Sequence, residues 1–459
     1  MIAFRWRGLK LLNKRTTERK KDPRPYVVEN FRTLQNPVDK AKLTIGFVLF
    51  STALGFVIGF AVFCLMNLST WLTSLVWDRV GAAVGVSWYP LAICTLGGLV
   101  IGLWTLLSGN RIKPLEVVMA EFRQKGNCDL GGFGKAVISF LLPLVFGGSV
   151  GFEAGLTGII TAGCCWIRDK LKAAGLAMGA VTDVSLAASI SAIFGTPLAG
   201  IVAGAENIPH DSEETGKGFD VNAYTMRHQV KIALYTAAAF GAFAGIAAFS
   251  ELFGASGGLP RFESITASYA DFLWAVPCIL VAWGMALLFH GSSFAFGYVS
   301  RIMGNGTWGT VVKPIIAGIM MGAVAMALPL VLFPGEVQSE ELMVSWQSWT
   351  ALALLGTGVL KAVITPMCIR MGWMGGSFFP SIFAGVACGY GLAVLTGADP
   401  MFMVTVTASA YLAGVTRKPL LSVAILALCF PMTGILWSGL AAVTCGSLPI
   451  PQFLLESNE

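Results

Sequence analysis

The sequence predicts an all-α polytopic membrane protein whose helices are interrupted inside the bilayer. Three observations predict it: too little charge for a water-facing surface, a row of apolar runs that includes half-length ones, and Gly- or Pro-containing breaks that recur in pairs.

The 459 residues are 55% hydrophobic and 12% charged. A soluble domain carries about 25% charged residues, so most of the outer surface of this chain faces lipid. Residues 1–42 hold twelve Lys or Arg against Glu18, Asp22, Glu29 and Asp39. A basic segment ahead of the first apolar run predicts a cytoplasmic N-terminus and contact with anionic headgroups; the expected location is a cell inner or plasma membrane. Nucleic-acid binding is the other reading of a basic arm; the long apolar chain behind this one argues against it. The first apolar run begins near Leu43, too far in and too long for the h-region of a cleavable signal.

Apolar runs lie near 43–76, 90–108, 133–150, 156–166, 185–205, 230–250, 271–290, 312–334, 349–366, 377–397, 401–416 and 419–445. A straight span needs about 20 apolar residues; run 156–166 has about half that. The breaks read GGSVGFEAG at 147–155, FGTPLAG at 194–200, GGSFFP at 375–380 and GVTRKPL at 414–420. Backbone freed at such breaks must be buried in protein or line a hydrated cavity. The expected organisation is a basic tail over 1–42, one membrane domain over 43–445 with halves of roughly 43–250 and 270–445, and a short tail over 446–459. No soluble regulatory domain is expected, and the polar stretch 206–229 is the longest internal loop.

The breaks match across the halves. Gly-Gly-Ser at 147–149 recurs at 375–377, and Thr196-Pro197-Leu198 is echoed by Lys418-Pro419-Leu420. Matched breaks half a chain apart suggest an internal repeat with a site at its interface; chance recurrence in a Gly-rich membrane chain is the alternative.

A helix N-terminus carries unpaired N–H groups and about half a positive charge. Several such ends converging at depth hold an anion without a full cation, which permits fast exit. Gly151-Phe152-Glu153-Ala154-Gly155 and Gly375-Gly376-Ser377-Phe378-Phe379-Pro380 are the candidates, with Pro380 suited to a first helical turn. Glu153 is the most informative residue. A carboxylate at membrane depth costs about 3 kcal/mol even on lenient insertion scales. One reading makes it a gate that competes with the permeant anion and leaves when protonated. The other makes it an N-terminal acid that stabilises its own helix.

These residues carry a family resemblance. GFEAG at 151–155 resembles the G-[KR]-E-G-P element of the CLC chloride channel and transporter family. GGSFFP at 375–380 is similar to its G-x-F-x-P element, FGTPLAGIVAGAE at 194–206 to its F-N-A-P-L-A-G-x-x-F-x-x-E-E stretch, and AYLAGVTRKPLLSVAILAL at 410–428 to its A-x-F-A-G-V-T-R-x-P-L segment. FPGEVQ at 333–338 falls where that family has a Gly-rich turn before a helix. The matches run in order through nearly the whole membrane domain.

The resemblance implies an antiparallel inverted repeat of tilted helices and a homodimer with one pore per subunit. It implies that Glu153 is the external gating glutamate. It also implies that the amides of Ser377, Phe378 and Phe379, with those around Gly151, Phe152, Gly155 and Gly376, face the anion. Departures are equally plain. LSGNRIKPLE at 107–116 leaves no Ser-Gly-Ile-Pro, and Arg111, Ile112 or Lys113 falls in its place. Glu206 aligns with the first acid of the Glu-Glu pair, but Asn207 occupies the second, the proton-relay position, and cannot titrate. The pore Tyr expected near 446–453 is missing from GSLPIPQF. In the gate element Phe152 and Ala154 replace a basic residue and a Gly, and Gly155 replaces Pro.

The expected function is therefore CLC-type transport of chloride or a similar small anion, passive, gated by Glu153 and channel-like or weakly proton-coupled. A chloride/proton antiporter and a fluoride-selective transporter are the near alternatives. From a different class, Gly147-Gly148-Ser149-Val150-Gly151 fits the G-x-S-x-G of serine hydrolases, whose strand–turn–helix context is not expected here. No motif implies a cofactor or a metal, and the cysteines read as small buried hydrophobes. Lys361, inside run 349–366, is expected to snorkel or to pair with a carboxylate such as Glu336.

Overall fold

A computed structural model describes residues 37–109, 132–173, 180–206, 228–254 and 259–455. Most of the basic tail, Arg111 to Lys113, Asn207 and most of the polar loop lie outside the described residues, so the readings placed on them stand untested. The described chain is a helical bundle. Its first half runs α1 Pro37–Ser74, α2 Tyr89–Ser108, α3 Phe133–Val145, α4 Glu153–Ala173, α5 Ala180–Phe194, α6 Pro197–Glu206 and α7 His228–Phe253. The second runs α8 Ala275–Ile302, α9 Thr307–Ala325, α10 Glu336–Ser345, α11 Ala351–Arg370, α12 Phe378–Thr396, α13 Pro400–Thr416, α14 Pro419–Leu426 and α15 Ile435–Ser447. Seven segments are long and apolar enough to cross a membrane, while α3, α13 and the described core of α5 are shorter apolar helices.

The helix starts explain why the breaks recur. α12 opens directly after Gly375-Gly376-Ser377, α4 opens at Glu153 shortly after Gly147-Gly148-Ser149, and α6 and α14 each open on a proline. Proline suits a first helical turn because its missing N–H would be unpaired there anyway. α6 and α14 pack on each other across the halves, and the Thr196 hydroxyl donates to the Ala424 carbonyl at 3.3 Å. α12 and α13 are buried along nearly their whole length. Large apolar side chains such as Leu107, Leu352 and Leu436 stand exposed on the outside. That distribution puts the broken helices inside and the lipid-compatible ones outside.

Small residues let the outer helices approach at backbone distance. Gly55 and Gly59 of α1 face Ala238 and Ala242 of α7, while Gly241 and Gly245 of α7 face Thr52 and Phe56 of α1. The same reciprocal Gly-x-x-x-Gly contact joins α2 to α9. Gly98 and Gly102 meet Pro314 and Val311, and Gly318 and Gly322 meet Cys94 and Leu91. In lipid such close packing replaces the hydrophobic drive that water would supply.

A methyl at Gly59 or Gly98 would overlap the carbonyl oxygen of Ala242 or Pro314. Gly59→Ala and Gly98→Ala are expected to cost about 1–3 kcal/mol each, read as lower melting temperatures of the purified protein in detergent. Gly284→Ala, whose methyl meets open space, is the control expected to melt like the parent.

Candidate functional site

The first break leaves α3 through Gly147, whose φ of +84° is left-handed backbone that glycine adopts without strain. Gly148 donates to the Pro143 carbonyl at 2.7 Å, and the Trp77 indole donates to that of Val145 at 3.0 Å. The second break leaves α11 through Gly372, φ +101°. Trp373 is fully buried; its backbone N–H reaches the Cys368 carbonyl at 2.8 Å and its indole the Pro314 carbonyl at 2.8 Å. Carbonyls stripped of helical partners by the breaks are thus re-paired by named donors, as membrane depth requires.

The two breaks then meet. Gly151 and Gly376 form an antiparallel bridge in which each N–H donates to the other's carbonyl at 2.7 Å. A Cβ on either glycine would fall on the Glu153 carboxyl group, so the bare backbone at both positions leaves that side chain room to sit here. The bridge brings the first turns of α4 and α12 together from opposite halves.

Glu153 is the first residue of α4 and is fully buried. Its Oε1 crosses to the other half and accepts the Phe378 N–H, the first of α12, at 2.6 Å. That is the short range of a charge-assisted bond. The carboxylate lies where the open end of α12 offers unpaired donors and a partial positive charge.

Of the residues singled out in the sequence, the structure brings Gly151, Phe152, Glu153, Gly376, Phe378 and Phe379 into one buried cluster, with half-buried Ser377 at its edge. Gly155 lies at the start of α4 against Phe140. The bridge corrects one detail: the amides of Gly151 and Gly376 are spent on each other and are not available to an anion. Ser377 sits at the α12 N-cap and Phe379 follows Phe378 in its first turn. Sequence reasoning missed Phe194, which ends α5 just before the left-handed turn at Gly195. Its ring stacks on Phe379 at 5.3 Å and tilts against Phe378 at 5.7 Å, and Phe152 meets Phe379 edge-on at 4.7 Å. Four phenylalanine rings therefore cluster at the first turns of α4 and α12. Of the altered relay pair, only the backbone of Glu206 is described, at the end of α6.

Lys361 is also placed differently from expectation. It is fully buried in α11 and does not pair with Glu336. Its ammonium donates to the carbonyls of Val331, Leu332 and Phe333 at 3.1, 3.0 and 2.8 Å, 4.8 Å from the Phe383 ring centroid. Three carbonyls satisfy all three N–H donors of an ammonium. The turn held this way contains Phe333 at φ +63°, unusual for a non-glycine residue. The Phe333 N–H in turn donates to the Gly147 carbonyl at 3.2 Å. One helical turn further along α11, the Thr365 and Ser149 hydroxyls bond at 3.2 Å. Lys361 and Thr365 thus brace the first break from one face of α11. Ser149, buried against Thr365 after a helix rather than a strand, lacks the setting of a hydrolase nucleophile.

The described helices form a bundle whose two halves each turn a broken helix end toward one buried point. A family model described as voltage gated chloride channel matches residues 110–448, and the chain belongs to that family, the CLC proteins. Among solved structures it is similar to a CLC-type fluoride/proton antiporter, at TM-score 0.68 and 15% identity over 90% of this chain and 96% of that one. It is also similar to a eukaryotic CLC transporter, at TM-score 0.64 and 17% identity over 90% of this chain and 73% of that one. A slow cyanobacterial chloride/proton antiporter aligns at TM-score 0.64 and 15% identity, over 90% and 97%. A comparison with curated protein sequences finds no match.

Removing the Lys361 ammonium strands three buried carbonyls. Lys361→Met is expected to cost on the order of 3 kcal/mol, seen as a lower melting temperature in detergent. Lys361→Arg, which keeps the donors, is expected to recover at least half of the loss.

Proposed function

We propose that the protein moves chloride or a similar small anion passively across the membrane, with Glu153 as the gate. The observation that carries this reading is the 2.6 Å bond from the Phe378 amide to the Glu153 carboxylate. The carboxylate holds the donor a permeant anion needs, so the two compete for one place. Protonation removes the negative charge, weakens that bond and releases the side chain. The amides of Ser377, Phe378 and Phe379 then face the anion. Because these are peptide dipoles rather than a fixed cation, the ion is held without being trapped.

The relay position carries Asn207, which cannot titrate, and this favours channel-like or weakly proton-coupled movement over a tightly coupled antiport. Fluoride is the second substrate reading. The phenylalanine cluster supports it, since ring edges carry the positive part of the aromatic quadrupole and could face a small hard anion. In a membrane the protein would act as a homodimer with one pore per subunit, its N-terminal tail cytoplasmic and near anionic lipid. No cofactor or metal enters this mechanism.

Anion efflux from liposomes containing the purified protein tests the reading, with pH varied. Efflux in the parent is expected to rise as pH falls, because protonation opens the gate. Glu153→Gln and Glu153→Ala are expected to conduct at every pH with the dependence gone. Gly376→Ala, whose methyl takes the place of the carboxylate, should show the same loss. An unchanged pH dependence in both Glu153 variants would reject the gate.

A further inference from the structure

Two consecutive glycines of the first break are held between two tryptophans, one from each half. A Cβ on Gly147 would press into the Trp77 ring, and one on Gly148 would meet the Trp373 ring at 3.0 Å. Bare backbone at both positions lets the two rings close on it. Trp373 belongs to the second break, between Gly372 and Gly375, and its ring is lodged against Gly97 of α2 and Gly318 of α9. Trp77 comes from the end of α1, where the helix continues through a π-turn over Leu75–Val80. There the Gly81 N–H reaches back five residues to the Val76 carbonyl, which also accepts the Tyr89 hydroxyl. Single π-turns are frequent where a helix serves a functional site.

Trp77 makes three contacts at the break. Its indole donates to the Val145 carbonyl at 3.0 Å, which no backbone N–H serves among the described residues. Its ring covers Gly147, and it meets the Phe333 ring edge-on at 5.0 Å. Phe333 is the residue whose N–H closes the Gly147 carbonyl, and it does so at a φ of +63°. A non-glycine residue keeps that conformation where its surroundings fix it. Trp77 therefore touches both segments that meet at Gly147. From Gly148 to Glu153 the chain is short and tied at Ser149 to Thr365 and at Gly151 to Gly376. It has little slack to absorb a shift at the glycines.

We propose that Trp77 and Trp373 are positioning residues for the gate. By clamping Gly147-Gly148 from the two halves, they fix where the first break enters the junction and how Glu153 lines up on the Phe378 amide. The inference rests on Glu153 being the gate. The other titratable groups described on the elements around Glu153 are Cys64, Asp78 and Arg79 on α1 and its π-turn, Lys135 on α3, and Cys388 and Tyr390 on α12. The substitutions below leave each of them in place.

The test measures anion efflux from liposomes against pH, each curve scaled to its own maximum. Trp77→Phe keeps an aromatic ring and removes the indole N–H. Poorer alignment of the Phe378 amide weakens its hold on the charged carboxylate, so the midpoint is expected to rise by about half a pH unit or more. An unmoved midpoint, with efflux or melting temperature merely lower, would mean a structural role alone and overturn the proposal; so would a midpoint moved downward. Should Trp77→Phe fail to fold, Tyr89→Phe, which releases the π-turn and leaves Trp77 intact, carries the same test with the same two outcomes. Failure of the gate reading is told apart by Glu153→Gln, which in that case would keep its pH response. Where the gate stands, Glu153→Gln with Trp77→Phe is expected to show no pH midpoint, like Glu153→Gln alone.

Discussion

The structure depends on one constraint: backbone that leaves a helix inside lipid must find its partners within the protein. The reciprocal pair between Gly151 and Gly376 meets it with the fewest groups. Each glycine closes the open backbone of the other, and the pair sits between equivalent elements of the two halves. Because the contact is self-complementary, it also fixes the first turns of α4 and α12 relative to each other. The position of Glu153 follows from that, since only then does its carboxylate fall on the Phe378 amide.

The other supports make sense as service to this junction. Lys361 closes the carbonyls of 331–333, that turn closes Gly147, and Thr365 closes Ser149. A buried ammonium is costly unless its donors are all used, and here all three are. Its charge is committed to carbonyl oxygens, so the junction is polarised by peptide dipoles at the site itself. The contact is fully buried beside a cluster of phenylalanine rings, and a hydrogen bond is electrostatically stronger in the interior than in water.

The sequence made the class and the breaks legible for physical reasons. Low charge, half-length apolar runs and Gly-Gly-Ser followed by a short helix are local signals, and they marked 147–155 and 375–380 correctly as helix openings. Glu153 stood out because an acid at that depth demands a reason. What stayed hidden depends on which segments touch. Glycines marked as anion ligands turned out to bond each other, because strand-like pairing between residues 225 apart leaves no local trace. Lys361 offered a carboxylate as the obvious partner, and only the fold reveals three carbonyls converging on it. Phe194 looked like one more apolar residue before a turn; its place in the cluster comes from α5 ending beside α12.

The central claim is that the Glu153 carboxylate and a permeant anion share the donor at Phe378. Bromide soaked into crystals of the Glu153→Gln variant and located by anomalous scattering tests it most directly. The account predicts a bromide at hydrogen-bonding distance from the Phe378 amide in the variant, and none there in the parent at high pH. Bromide absent from that amide in the variant, or present there beside an unmoved carboxylate in the parent, would contradict it.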